Sequence, residues 1–190
     1  MTKAKIGILI SGRGSNMASL VEASKALDSP YEVVLVASNV PDAPGLDFAK
    51  ANGIPTWAHS HVGMKRAEFD GLVDAALREA GVEFVALAGY MRLLSPGFVQ
   101  KWAGRMINIH PSLLPAYKGL DTHQRVLDAA EAKHGCTVHI VTEALDDGEI
   151  VAQAEVPVLP GDNAETLAAR VLVEEHKLYP AALAKLVRGR

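Results

Sequence analysis

Short, almost unbroken apolar runs alternate along this chain with longer segments whose apolar residues recur every third or fourth position. The runs Lys5–Ile10, Tyr31–Ser38, Pro55–His59 and Glu83–Ala88 read as strands, the first and last with the near-continuous apolar character of strands covered on both faces. Between them, 16–27, 46–52 and 65–80 have helical spacing; in the last, Phe69, Leu72, Val73, Ala76 and Leu77 share one side. Gly53 and Gly81 stand where two of these helices end. Pro96 opens a short helix to Trp102, and a fifth strand runs from Met106 to His110, where Pro111 stops it. A helix follows over 121–132, a sixth strand over 135–142, and an antiparallel return over 150–158. Asp162 with Glu165 has the pattern of a capping box for a long terminal helix, which Pro180 is expected to kink. Strands alternating with helices, then a hairpin and a helix, predict a single three-layer α/β domain over 1–190. Its sheet is expected to be mostly parallel, with an antiparallel C-terminal hairpin.

The polar residues worth explaining sit where these strands end. In a strand, alternate side chains share a face, so Asn108 and His110 lie together, opposite Ile107 and Ile109. Ligands of open α/β sheets bind at the C-terminal ends of parallel strands; the alternative is a core strand whose Asn and His are bonded internally. The first strand leads into Ser11-Gly12-Arg13-Gly14-Ser15-Asn16 and then a helix, an arrangement suited to an anion. It is not a Walker A loop, since no Gly-Lys-Ser/Thr follows. Met17 stands where a dinucleotide fingerprint has its third glycine, and Ser38-Asn39 ends the second strand where an acid is usual. A single phosphate, as on a mononucleotide, is the better fit. Gly89-Tyr90-Met91-Arg92-Leu93-Leu94-Ser95-Pro96, leaving the fourth strand, is apolar enough to form a slot with free backbone donors and acceptors. Arg66 lies on the first turn of the third helix and reads, on periodicity alone, as a surface charge. His59 and His61 lack further ligands nearby and read as a solvated loop end, so no metal is expected.

Composition narrows the partners. The 190 residues are 49% hydrophobic and 22% charged, with a net charge of −3 and no basic run, which argues against nucleic acid. Cys136 is the single cysteine, which fits a reducing cytoplasm. The apolar start is shorter than the roughly 7–15 residues of a signal-peptide core, and no stretch approaches the ~20 a membrane helix needs.

Asn108 and His110 need a third group, and the Asp146-Asp147 turn is the obvious supplier. A carboxylate beside an imidazole favours the imidazolium. An imidazolium next to a carboxamide N–H suits a developing oxyanion. No Gly-x-Ser-x-Gly elbow is present and Cys136 lies inside an apolar strand, so nothing marks a covalent nucleophile. Direct attack of a substrate amine or water on a carbonyl is the chemistry favoured.

Taken together, Ser11–Asn16, Ala88–Pro96, Asn108-Ile109-His110-Pro111-Ser112-Leu113-Leu114-Pro115, His134–His139 and Leu145-Asp146 resemble the phosphoribosylglycinamide formyltransferase (GAR transformylase) family, in order from about Ile6 to Pro180. The Asn-x-His-Pro-Ser-x-Leu-Pro stretch marks the wider formyltetrahydrofolate-using superfamily, and the Ser-Gly-x-Gly-Ser-Asn loop narrows it. The resemblance implies a Rossmann-like formyltransferase fold and transfer of the formyl group of 10-formyltetrahydrofolate to the glycine amine of 5'-phosphoribosylglycinamide. It implies Asn108, His110 and Asp146 as the catalytic trio. It assigns Gly14, Ser15, Asn16 and Glu175 to the ribonucleotide, and Arg66, Met91, Arg92, Leu93, Leu94 and Asn108 to the folate. Small-molecule substrates, a cytoplasmic setting and a monomer or homodimer go with it.

Departures from the pattern are visible. Gly148-Glu149 stands where Gly-Pro is usual, Lys118-Gly119-Leu120-Asp121 replaces Pro-Gly-Leu-His, and Leu172 replaces a polar residue. The chain ends at Arg190, earlier than many members, with only a variable tail expected to be missing. Rival readings are a formyltetrahydrofolate deformylase, which normally has an extra N-terminal domain and no need of a phosphate loop, and a methionyl-tRNA formyltransferase, which adds a C-terminal RNA-binding domain. A non-catalytic nucleotide-binding module is the rival from another class. Turnover separates them.

Overall fold

The strands order themselves β3-β2-β1-β4-β5-β6-β7 in one sheet, seen in a computed structural model that describes residues 2–189. Met1 and Arg190, the two ends of the expected domain span, lie outside the described residues. The elements are β1 (Ala4–Ile10), α1 (Ser15–Ser24), β2 (Tyr31–Ser38), α2 (Pro44–Ala51), β3 (Thr56–Ala58), α3 (Arg66–Glu79), β4 (Phe84–Leu87), α4 (Pro96–Lys101), β5 (Met106–His110), α5 (Thr122–Asp128), β6 (Lys133–Ile140), β7 (Ile150–Pro157) and α6 (Ala164–Arg188). β1 to β5 pair in parallel. β6 runs antiparallel to both β5 and β7, so the antiparallel part begins one pairing before the hairpin itself.

Two apolar cores flank the sheet. On one side Ile6, Ile8 and Ile10 of β1 pack with Met17 and Leu20 of α1 and Leu167, Val171, Tyr179 and Leu183 of α6. On the other, Leu9, Val85 and Leu87 pack with Phe69, Val73 and Leu77 of α3 and Trp102 after α4. Strand alternation sorts the residues between the two layers, which is why the central strands are buried on both faces. Burying these apolar side chains, each worth about 1.5–3 kcal/mol, dominates stability.

Several boundaries differ from the sequence reading. α1 stops at Ser24 rather than Leu27, because Leu27 faces solvent and offers the helix no buried contact. α5 ends at Asp128 rather than Ala132; Ala130 has φ 52°, which breaks the helix. β6 is shifted towards its start: Lys133 and His134 pair with Pro157 and Val156, while Thr142 turns back to bond the Ala144 carbonyl. The capping box falls one residue later, with Asn163 and Thr166 bonding reciprocally. Asp162 instead accepts the Leu159 N–H and pairs with Arg170. The helix runs on through Pro180 to Arg188.

Candidate active site

The parallel strands all end on one edge, and the order of the sheet puts β4 beside β1, so the chain switches direction of travel between them. That crevice is where α/β sheets take ligands. On its β1 side Gly14 adopts φ 66° and serves as the N-cap of α1, a conformation cheap only for glycine. Ser15 then opens the helix, so the turn presents backbone donors as an anion site does. α2 starts hard against this loop: the Gly45 N–H donates to the Gly12 carbonyl at 3.0 Å, and a Cβ at Gly45 would lie 2.9 Å from the Arg13 carbonyl oxygen. Asn16 is buried and its amide donates to Glu175 Oε1 at 3.2 Å, joining the loop to α6 across 159 residues. Burial pushes the Glu175 carboxyl above its ordinary range, against the Asn16 bond. Asn16 Oδ1 has no protein partner. Gly14, Ser15, Asn16 and Glu175 are thus brought together.

On the β5 side, Asn108 and His110 share the face read from alternation. Antiparallel pairing sets His139 of β6 opposite Asn108. Asp146, at φ 48°, turns its carboxylate between two imidazoles: Oδ2 is 3.5 Å from His110 Nδ1, and Oδ1 is 3.7 Å from His139 Nε2. The Gly119 N–H donates to Asp146 Oδ2 at 2.9 Å. His110 Nε2 lies 2.9 Å from the Tyr117 carbonyl oxygen. A proton on Nε2 satisfies that contact and leaves Nδ1 as the nitrogen facing the carboxylate. His139 is ordered differently. Its Nδ1 lies 3.1 Å from the Ile140 carbonyl and its Nε2 3.4 Å from Asn108 Nδ2. Burial, and after it the charge of His110, holds the His139 imidazole below its ordinary range, opposed by the Ile140 bond and Asp146. A neutral ring protonated at Nδ1 accepts from the Asn108 amide and fixes its orientation.

Asn108, His139 and Asp146 border a cleft of about 390 Å³ that Arg66, Tyr90, Arg92, Leu93, Leu94 and Val141 also line. The carboxamide and carboxylate therefore share a cleft with the apolar Leu93, Leu94 and Val141 and with the cations of Arg66 and Arg92. The Arg92 guanidinium lies 4.9 Å from the Phe69 ring centroid, a cation–π contact. Met91 is exposed, and its N–H donates to Ser11 Oγ at 2.8 Å, tying the 89–96 loop to the 11–16 loop. His61 is bonded to Asn39 at 3.2 Å, and Asn39 accepts from Ser11 at 2.6 Å. His61 is thus part of a hydrogen-bond chain rather than a free loop end. Among the described residues, no group of three or more His, Cys, Asp or Glu could hold a metal ion, and no helix is long and apolar enough to cross a membrane.

His139 was not singled out from the sequence. Its signal was a histidine inside an apolar strand, on the face shared with Thr137 and Val141. Thr137 has a supporting part: its hydroxyl donates to the Ser112 carbonyl and accepts the Leu114 N–H, holding the turn after His110.

The chain belongs to the formyl transferase family, which residues 4–183 match. Within it, matches running nearly end to end include phosphoribosylglycinamide formyltransferases. That of Brucella melitensis, known from a crystal structure, is 49% identical, with a TM-score of 0.95 covering 100% of this chain and 98% of that one. That of Escherichia coli (strain K12) is 42% identical over 188 residues, 97% of this chain and 88% of that protein. The trifunctional purine biosynthetic protein adenosine-3 of Bos taurus is 47% identical over 188 residues. The chain spans only 19% of that much longer protein.

Proposed function

We propose that this chain transfers the formyl group of 10-formyltetrahydrofolate to the glycine amine of 5'-phosphoribosylglycinamide, giving formylglycinamide ribonucleotide in de novo purine biosynthesis. The observation that supports this most is that the Gly14–Asn16 turn and the Asn/His/Asp cluster both lie at the C-terminal edge of the parallel strands, the cluster beside a cleft that Arg66 and Arg92 also line. The ribonucleotide phosphate sits on the Gly14–Asn16 turn, with Glu175 towards its glycinamide part. The folate lies in the slot, its acidic tail towards Arg66 and Arg92, its ring system against Leu93 and Leu94.

The neutral glycine amine attacks the formyl carbon directly. As the carbonyl becomes an oxyanion, the Asn108 amide and the protonated Nδ1 of His110 stabilise it. Asp146 balances the imidazolium charge and takes part in moving one proton from the attacking nitrogen to the folate nitrogen. That nitrogen leaves as the C–N bond to the donor breaks. No covalent enzyme intermediate is needed, in keeping with the buried Cys136, whose thiol burial pushes up to about 12. A cytoplasmic setting goes with this reading.

Asp146→Asn tests the assignment. Turnover is expected to fall about 10²- to 10⁴-fold with folate binding retained. Wild-type turnover in that variant, or in His110→Asn, would remove the trio from the reaction.

A further inference from the structure

The loop facing the catalytic carboxylate carries charges that the mechanism above does not use. Tyr117 contributes the carbonyl that fixes His110, and Gly119 the N–H that fixes Asp146. Both groups are backbone, so their placement depends on the path of the 117–121 loop. That path is strained: Tyr117 and Asp121 have φ 55°, and Asp146 opposite has φ 48°.

Lys118 Nζ pairs with Asp147, the residue directly after Asp146. The pair therefore spans the two strained segments at the mouth of the site. On the other flank Arg125 of α5 donates to the Lys118 and Leu120 carbonyls at 2.6 and 3.1 Å and lies over the Tyr117 ring. Arg125 shapes the loop internally. Of these contacts, the Lys118 and Asp147 side chains alone join it to the Asp146 turn by charge.

The geometry points to Lys118 and Asp147 as a positioning pair. Their ion pair clamps the 117–121 loop onto the Asp146 turn and thereby holds the Gly119 N–H on Asp146 and the Tyr117 carbonyl on His110. This rests on the formyl-transfer reading for its catalytic consequence, though not for the clamp itself. An exposed ion pair contributes little to global stability. Its effect is local, because small displacements of a reacting group are costly in rate.

Two readouts test it on the full chain. The first is amide hydrogen exchange at 117–121 in Lys118→Ala, Asp147→Ala and wild type. Faster exchange of the Gly119 amide in both variants is expected, and unchanged exchange overturns the clamp whatever the enzyme's activity. The second is steady-state kinetics with both substrates. Lys118→Ala and Asp147→Ala should each lower kcat about 3- to 10-fold, with both KM values within about twofold. The double variant should be no worse than either single. Lys118→Arg should recover most of the rate, and the exchanged pair Lys118→Asp with Asp147→Lys should recover part of it. Near 1 M salt, with both substrates saturating, the kcat of wild type should fall towards that of Lys118→Ala. Multiplying losses in the double variant, or loss confined to KM, contradicts the proposal. If wild type transfers no formyl group at all, the functional reading fails while the exchange experiment still judges the clamp.

Discussion

Acid should loosen the layer under the 117–123 segment, and His134 allows the size to be worked out. It is the second residue of β6, is 1% exposed, and its Nε2 lies 3.0 Å from His123 Nδ1 on α5. Burial, and then the charges of His123 and His110, bring its pKa from 6.5 to about 4. In the unfolded chain the ring takes its proton near 6.5; in the folded chain it waits until about 4. The unfolded state therefore binds more protons between these values, and stability declines as pH falls through that window. The contribution is fully present above about pH 6.5 and lost below about 4. At about 1.4 kcal/mol per unit, a shift of roughly 2.5 units corresponds to about 3 kcal/mol. Burial also holds His123 and His139 low, so they steepen the same slope. Urea unfolding of wild type and His134→Gln near pH 7.5 and near pH 4.5 isolates the His134 share. On acidification the variant should lose about 2–3 kcal/mol less than wild type. Equal losses in the two proteins would refute the reasoning.

Other expectations follow from the geometry. Gly45→Ala pushes a Cβ against the Gly12 and Arg13 carbonyls and should raise KM for the ribonucleotide at least about tenfold, leaving folate KM nearly unchanged. Asp74 is buried between Arg78, Lys101 and the Trp102 indole. Burial raises its pKa, but those bonds outweigh this and hold it low. Asp74→Asn should cost about 2 kcal/mol in denaturant unfolding near neutral pH. The wild-type advantage should fade as pH falls below the ordinary carboxylate range, where the unfolded state gains the proton first. His139→Ala removes the acceptor that orients Asn108. It should lower kcat about 10-fold or more with folate affinity largely kept, as equilibrium binding and turnover together would show.

What the sequence made legible is what periodicity and strand ends control. β1, β2, β4 and β5 follow from apolar runs. The shared face of Asn108 and His110 follows from alternation, and the turn that opens α1 from Gly12 and Gly14. Asp146 could be nominated only with its neighbour, as the Asp146-Asp147 turn between the sixth strand and its return. The missed partners depend on long-range register or on backbone atoms. His139 meets Asn108 only because β6 pairs antiparallel with β5 in one register, which no local pattern dictates. The Tyr117 carbonyl and the Gly119 N–H have no side-chain signature at all. The displaced capping box arose because Asp162 is drawn to Arg170, leaving Asn163 to cap, a choice made by tertiary contact between near-equivalent residues.

The central claim is transfer to a ribonucleotide amine, and the most direct test is folate consumption with and without the acceptor. Wild-type protein is mixed with 10-formyltetrahydrofolate, in parallel with and without 5'-phosphoribosylglycinamide, and loss of the formyl group is followed together with formation of formylglycinamide ribonucleotide. The account predicts deformylation only when the ribonucleotide is present, with one product formed per folate consumed. Equal consumption in both mixtures, or none in either, would contradict it.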